Sequence, residues 1–274
     1  MTVLQVLFLL LLGCFTGFSA GLLGIGGGMI MVPFLTFLFT QYGFPAEHIV
    51  HMAIATSMST ILFTSLSSVR AHHKRGAVRW DIVAGLTPGI LIGGLIGGGE
   101  IFAALKTSWL SLIFASFVGF SAYQMLKNKK PKPSRVLPGT KGLLGVGGAI
   151  GFISSLVGAG GGFISVPFMT WCNVAIHNAV ATSAALGFPI ALGSAMGYIY
   201  GGMHIEGLPA NSLGFVYLPA LACIATASVF TAPIGAKIAH QLNVAQLKRV
   251  FAGVLFILAS YMLWKSMQSF GLIA

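Results

Sequence analysis

The chain has 274 residues, of which 15 are Lys or Arg and 4 are Asp or Glu, with 56% of residues apolar and a mean hydropathy of +0.93. A soluble domain carries about a quarter charged residues, so a soluble globular protein, a disordered chain and a disulfide scaffold are all excluded. The net charge of +11 does not imply a nucleic-acid partner, because the basic residues sit in short loops between apolar runs, where the positive-inside rule puts them.

Residues 1–46, 48–69, 82–99, 107–126, 142–205 and 207–236 contain no Lys, Arg, Asp or Glu, and a membrane-spanning helix needs about 20 predominantly apolar residues. In chain order, the first apolar segment, about 3–42, is interrupted by glycines. It contains Leu11-Leu12-Gly13-Cys14, which resembles a lipoprotein cleavage box, and Ala20, a candidate signal-peptide end. A signal peptide opens with a basic region, whereas the first basic residue here is Arg70, so no cleavage is expected. Three long apolar helices follow near 48–70, 82–101 and 107–127. The polar, proline-containing run Lys127 to Arg135 is a linker. A second glycine-interrupted segment at about 142–174 leads to helices near 177–202, 209–232 and 246–268. Cys14, Cys172 and Cys223 lie inside apolar segments with no disulfide or metal spacing.

The chain repeats itself. Gly24 to Thr36 matches Gly158 to Thr170 at nine of thirteen positions with a spacing of 134, and Gly17-Phe18 and Gly151-Phe152 extend the match upstream. A second block, His51 to Ser57, matches His177 to Ser183 with the spacing reduced to 126. The organisation read from this is a first transmembrane repeat over 1–128, a basic cytoplasmic linker over 129–141 and a second transmembrane repeat over 142–274. The fold class is all-α polytopic membrane protein. Each of the two homologous repeats has a glycine-broken, re-entrant helical segment plus three transmembrane helices.

Three consecutive glycines cost a helix roughly 1 kcal/mol each relative to alanine. Non-helical backbone at membrane depth survives only when buried in protein or lining a cavity. Gly26, Gly27 and Gly28, with Gly160, Gly161 and Gly162, therefore mark broken helices. Such breaks at corresponding positions of two repeats point to a transporter's substrate site, where a half-helix N-terminus favours an anion. The competing reading is tight helix packing through small residues. Thr56, Ser57, Thr182 and Ser183 can donate hydroxyls to an anionic oxygen or bond back to their own helix. Asn178 can reach a substrate oxygen, whereas its repeat partner Met52 cannot. His51 and His177 are candidates for proton coupling, against the alternative of interfacial histidines capping a helix start. No carboxylate falls at a mid-membrane position, which argues against a carboxylate proton relay. It leaves histidine-mediated proton coupling, carbonyl-coordinated sodium or uncoupled anion flow.

An enzyme is not expected. Gly17-Phe18-Ser19-Ala20-Gly21 fits the G-x-S-x-G hydrolase signature, but the strand-to-helix turn with nearby His and acid that this signature needs is not visible. Gly24 to Gly28 lacks the Gly-Lys-Ser/Thr ending of a nucleotide loop.

The doubled G-x-G-G-G-x-x-x-V-P-F, each copy followed by A-T-S, resembles the TauE/SafE sulfite exporter family of membrane transporters. So does His73-Lys74-Arg75-Gly76-Ala77-Val78-Arg79-Trp80 followed by Pro88-Gly89 and Gly93 to Gly98. The resemblance covers almost the whole chain. It implies a bacterial inner-membrane transporter of small anions, typically sulfite, organosulfonates or related sulfur oxyanions. The second half departs from it at Gly201-Gly202-Met203-His204, where the basic loop is missing.

The expected function is secondary transport of a small anion bound between the two repeats at the broken helices. The alternatives are a channel-like passive anion pathway or transport of small carboxylates. Expected partners are the anionic substrate, the lipid bilayer and a coupling ion, proton or sodium; no cofactor or metal is called for, and a homo-oligomer is compatible with the chain. Charge distribution favours inverted repeats with both termini on the periplasmic side: 13 of the 15 Lys and Arg then lie inside, against 11 for eight parallel crossings.

Overall fold

The computed structural model describes residues 2–23, 27–74, 76–127, 135–238 and 244–273. Helix α1 (Val3–Leu23) precedes the first break, and α2 (Gly28–Gln41) follows it. Then come α3 (Ile49–His73), α4 (Trp80–Gly98), the single-turn α5 (Glu100–Ala104) and α6 (Thr107–Lys127). The second half begins with α7 (Thr140–Val157), the short α8 (Gly162–Trp171) and α9 (Ile176–Gly202). A two-residue hairpin, β1 (Ser212–Leu213) and β2 (Val216–Tyr217), leads into α10 (Leu218–Ile238) and α11 (Val244–Ser269). Among the described residues, eight helices are long and apolar enough to cross a membrane, four in each half. The chain is a multi-pass, all-α membrane protein.

Two boundaries differ from the sequence reading, each for a local backbone reason. The helix expected from 209 begins at Leu218, because Asn211 and Gly214 adopt left-handed conformations (φ 67 and 55) that turn the chain into the hairpin. The helix expected to run to 101 ends at Gly98, where Gly99 turns to ψ −129 before α5.

Helices α3 and α9 form the centre. Of their spanning residues 83% and 78% are buried, and no other span exceeds 56%. The remaining spans turn a larger apolar face outward, as Leu7, Phe120 and Ile257 do, which suits a hydrocarbon solvent.

Contacts between named residues give the direction of each helix. Gly13 faces Ile224 and Gly17 faces Ser228, so α1 and α10 run the same way. Gly85 faces Leu143, Gly93 faces Gly148 and Gly97 faces Ser155, so α4 and α7 do likewise. Thr56 meets Tyr217 and Ser67 meets Val229, which aligns α3 with α10. Gly94 faces Ser194 and Gly98 faces Tyr198, which aligns α4 with α9. The start of α3 touches the end of α5 through His51 and Phe102, and its end touches the start of α4 through His73 and Trp80. Helices α3 and α4 are therefore antiparallel, and so are α3 and α9. Helices α6 and α11 also oppose each other, with the Ser266 hydroxyl donating to the Ser108 carbonyl and Gly119 beside Ala259. Because α1 and α3 both run with α10, α2 carries the chain back between them.

Glycines permit these approaches. A Cβ at Gly89 would collide with the Leu144 carbonyl, and one at Gly93 with the Gly148 carbonyl. Backbone contact of this kind replaces the hydrophobic driving force that lipid does not supply. Gly93→Ala should therefore cost about 1–3 kcal/mol through overpacking. Gly145, with open space around its Cβ position, should accept alanine without loss. Thermal melting in detergent, followed by tryptophan fluorescence, checks both; equal melting temperatures would contradict the packing account.

Candidate functional site

The two glycine breaks come together between α3 and α9. Gly27 (φ 62) and Gly161 (φ 75) occupy the left-handed region immediately before α2 and α8, a conformation that glycine reaches without steric penalty. The Gly28 backbone lies so close to the Gly158 carbonyl that a Cβ would overlap it. Gly158, also left-handed (φ 67), sits beside Val32 and Ile54. Gly24 and Gly26 lie outside the described residues. The Ile30 and Met31 amides converge on the Gly27 carbonyl, and the Ile164 and Ser165 amides on that of Gly161. The first amides of α2 and α8 thus begin at the centre of the protein, and a helix start leaves such donors without intrahelical acceptors.

Beside the second break is a cavity of ≈ 30 Å³ lined by Ala20, Ile61, Thr64, Ser65, Ser68, Gly160, Ser183, Ala184, Gly187 and Ala232. Four of these ten residues, Thr64, Ser65, Ser68 and Ser183, bring a hydroxyl. The volume suits water and is too small for a tetrahedral or pyramidal oxyanion with its ligands. Because Ser65 and Ser68 are in the last turns of α3 and Ser183 is near the start of α9, the cavity lies toward the α3–α4 connection.

Ser57 and Ser183 occupy equivalent places at the two breaks. Ser57 Oγ lies 3.4 Å from the Gly28 carbonyl. Ser183 Oγ is 2.9 Å from Ser165 Oγ, which also lies 2.9 Å from the Gly161 carbonyl. Thr56 and Thr182 do something different. The Tyr217 amide donates to Thr56 Oγ1 at 3.0 Å, and the Arg79 amide donates to Thr182 Oγ1 at 3.0 Å. Tyr217 and Arg79 immediately precede α10 and α4, so each threonine holds the start of the other half's next long helix. Asn178 Nδ2 donates to the Ala77 carbonyl at 3.0 Å, adding a second tie to the α3–α4 connection.

The histidines are not equivalent. His51 is buried, its Nε2 within 3.1 Å of the Phe102 carbonyl and 2.8 Å of that of Leu105, with Nδ1 3.4 Å from Thr107 Oγ1. It ties the first turn of α3 to the α5–α6 junction. It also belongs to one of two clusters in an aromatic layer: His51 stacks on Phe215 at 5.1 Å and Phe102 meets Tyr198 at 4.6 Å, while Phe39 stacks on Phe44 at 4.8 Å in the other. His177 is exposed at the start of α9. Ser19 is buried within the continuous helix α1, not on a strand-to-helix turn, so a nucleophile elbow is missing there.

The family model described as Sulfite exporter TauE/SafE matches residues 9–262. The chain belongs to this family. A probable membrane transporter protein of Haemophilus influenzae is 35% identical over 95% of this chain and 98% of its own length. A probable membrane transporter protein of Methanocaldococcus jannaschii is 27% identical over 93% of this chain and 94% of its own. Another from Bacillus subtilis, YdhB, is 28% identical over 90% and 94%. No solved structure matches the chain.

Sequence reasoning singled out the glycines, Ser57 and Ser183 and missed Thr64, Ser65, Ser68, Gly187 and Ala232. The available signal was the recurrence of hydroxyls at helical spacing along α3: Ser57, Thr60, Thr64 and Ser68. Removing the acceptor in Thr182→Val leaves the Arg79 amide unpaired, at a cost of about 1–3 kcal/mol. Hydrogen exchange at the Ala77–Trp80 amides should accelerate roughly 5- to 150-fold on that scale, whereas Thr182→Ser should preserve protection. Unchanged exchange in Thr182→Val would remove the tie from the account.

Proposed function

We propose that this protein is a secondary transporter of small anions, with sulfite, organosulfonates and related sulfur oxyanions as the substrate class, in a bacterial inner membrane. The meeting of the two glycine breaks between α3 and α9 carries the reading. Two helix starts there offer amide donors and partial positive charge, glycine lets a ligand reach the backbone, and Ser57 and Ser183 add hydroxyls. The acidic residues, Glu47, Asp81, Glu100 and Glu206, stand at helix ends and loops, leaving the centre without a carboxylate that would repel an anion. Thr56, Thr182 and Asn178 act by holding the connections that close over this centre. Relatives named probable membrane transporters along nearly their full length support transport over catalysis. A cavity of ≈ 30 Å³ favours a closed, alternating carrier over an open channel, because an oxyanion enters only when α3 and α9 separate.

The architecture that goes with this reading is a pair of inverted repeats. The supporting observations are the opposed directions of α3 and α9 and of α6 and α11, together with the return of the chain through α2. In that arrangement the linker, the α3–α4 connection and the α10–α11 connection share the cytoplasmic side with 13 of the 15 basic residues, as the positive-inside rule requires. Both termini lie on the opposite side. A reporter active only in the cytoplasm, fused after Ala274, should stay silent; a bright signal would overturn the orientation.

In proteoliposomes of purified protein, sulfite, taurine, sulfoacetate, thiosulfate and acetate should be compared for saturable uptake. Saturation by one or more sulfur anions is the expected outcome; a response to cations or neutral solutes only would sink the reading. Ser183→Ala should weaken the affinity about two- to tenfold, the worth of a hydrogen bond of about 0.5–1.5 kcal/mol.

A further inference from the structure

The two halves superpose in sequence with three offsets. These are 134 across the first helix and its break, 126 from α3 to α9, and 138 from α4 to α10, the last bringing Arg79 onto Tyr217 and Trp80 onto Leu218. The matched donations of Arg79 to Thr182 and Tyr217 to Thr56 fix that last offset independently of sequence identity. Applied to the cavity, the offsets take Ser183 to Ser57, Ser68 to Ser194, Ala20 to Ser154 and Ala232 to Gly94, whereas Thr64 and Ser65 go to the apolar Ile190 and Ala191. Ser57 stands at the first break, and Ser154, Ser194 and Gly94 lie beyond it toward the aromatic layer.

One of them is unusual. Ser154 and Ser194 are both 0% exposed; the Ser154 hydroxyl has no hydrogen-bond partner, and the Ser194 hydroxyl is paired with the Tyr198 side chain. The Tyr198 hydroxyl in turn donates to the Ser155 carbonyl, and a Cβ at Gly94 would stand 3.3 Å from Ser194 Oγ. Buried polar groups are almost always paired, and an unpaired one is costly. Alanine, which the chain uses at the equivalent Ala20, avoids that cost. The closed state shows no return for it.

We propose that Ser154 and Ser194, with Ser57, form an outward-facing half-site for the same oxyanion, the counterpart of the part of the cavity lined by Ala20, Ser68 and Ser183, closed in this structure by α4 and the aromatic layer. The proposal rests on the inverted-repeat transporter reading above. When the aromatic side opens, the two hydroxyls gain water or an anionic oxygen, while the cavity on the cytoplasmic side closes. The anion thereby passes between two hydroxyl-lined half-sites related by the repeat, across the amides at the glycine breaks.

The test is thiol accessibility in a variant lacking Cys14, Cys172 and Cys223, carrying Ser154→Cys, Ser194→Cys or Ser68→Cys. A membrane-impermeant cationic methanethiosulfonate is added to right-side-out or inside-out vesicles. The expected result is modification of Ser154→Cys and Ser194→Cys at least tenfold faster from the outer face, and of Ser68→Cys faster from the inner face. Modified Ser68→Cys with both other positions inert from outside overturns the half-site and leaves the anion path standing. Three inert positions overturn the path as well. Ser154→Ala in the otherwise native chain supplies a second measurement, with sulfite counterflow in proteoliposomes as the probe. A position that matters only for packing gains stability on losing an unpaired hydroxyl and keeps its sulfite affinity, which would overturn the proposal; a half-site residue loses affinity at least threefold from the outer side.

Discussion

Hydrocarbon offers no hydrogen bonds, so backbone that leaves the helix inside a membrane must be enclosed by protein. The two glycine breaks are where this chain leaves the helix, and the rest of the fold encloses them. Helices α3 and α9, the most buried spans, form the inner wall. The pairs α1 with α10 and α4 with α7 close the flanks through backbone contacts that only glycine allows at Gly17, Gly89, Gly93 and Gly235. The outer pair α6 and α11 packs antiparallel. Each half alone would leave its break open to lipid, because its first helix packs on the other half's helix. The halves are structurally interdependent for that reason.

The same enclosure divides the hydroxyl groups into three kinds. Thr36, Thr60 and Thr16 bond back to carbonyls four residues earlier in their own helices, the common fate of threonine in apolar helices. Thr56 and Thr182 accept amides from the opposite half and so couple each central helix to a connection at one membrane face. Ser57 and Ser183 stand next to the broken backbone, whereas Thr64 and Ser65, which line the cavity, also bond back within α3.

The two faces are closed by different chemistry. Toward the hairpin the aromatic layer consists of two clusters, Phe39 with Phe44 and Tyr217, and His51 with Phe102, Tyr198 and Phe215. Toward the α3–α4 connection there is a thin cover, the backbone around Ala77 to Arg79 held by Asn178 and Thr182, with Trp80 bonded to His73 and Arg79 paired to Asp81 at 2.6 Å outside it. The cavity lies under the thin cover. Separating a few hydrogen bonds there disturbs less buried surface than parting the aromatic layer.

Much was legible in the sequence because the forces responsible are local or compositional. Charge-free runs of spanning length identify membrane helices, since hydrocarbon excludes charge. The doubled Gly-Gly-Gly before Val-Pro-Phe marks the breaks, since glycine is costly in a helix and tolerated where the backbone must turn. The hairpin before α10 escaped, because its two left-handed residues, Asn211 and Gly214, are ordinary members of an apolar stretch until the chain is folded. The pairing of helices was beyond sequence, as was the identity of the hydroxyls beside the cavity. Thr56 and Ser57 are adjacent and chemically alike, yet a helical step of about 100° turns one toward the Tyr217 amide and the other toward the Gly28 carbonyl. Only the packing of one half against the other decides which of them is a tie and which faces the break.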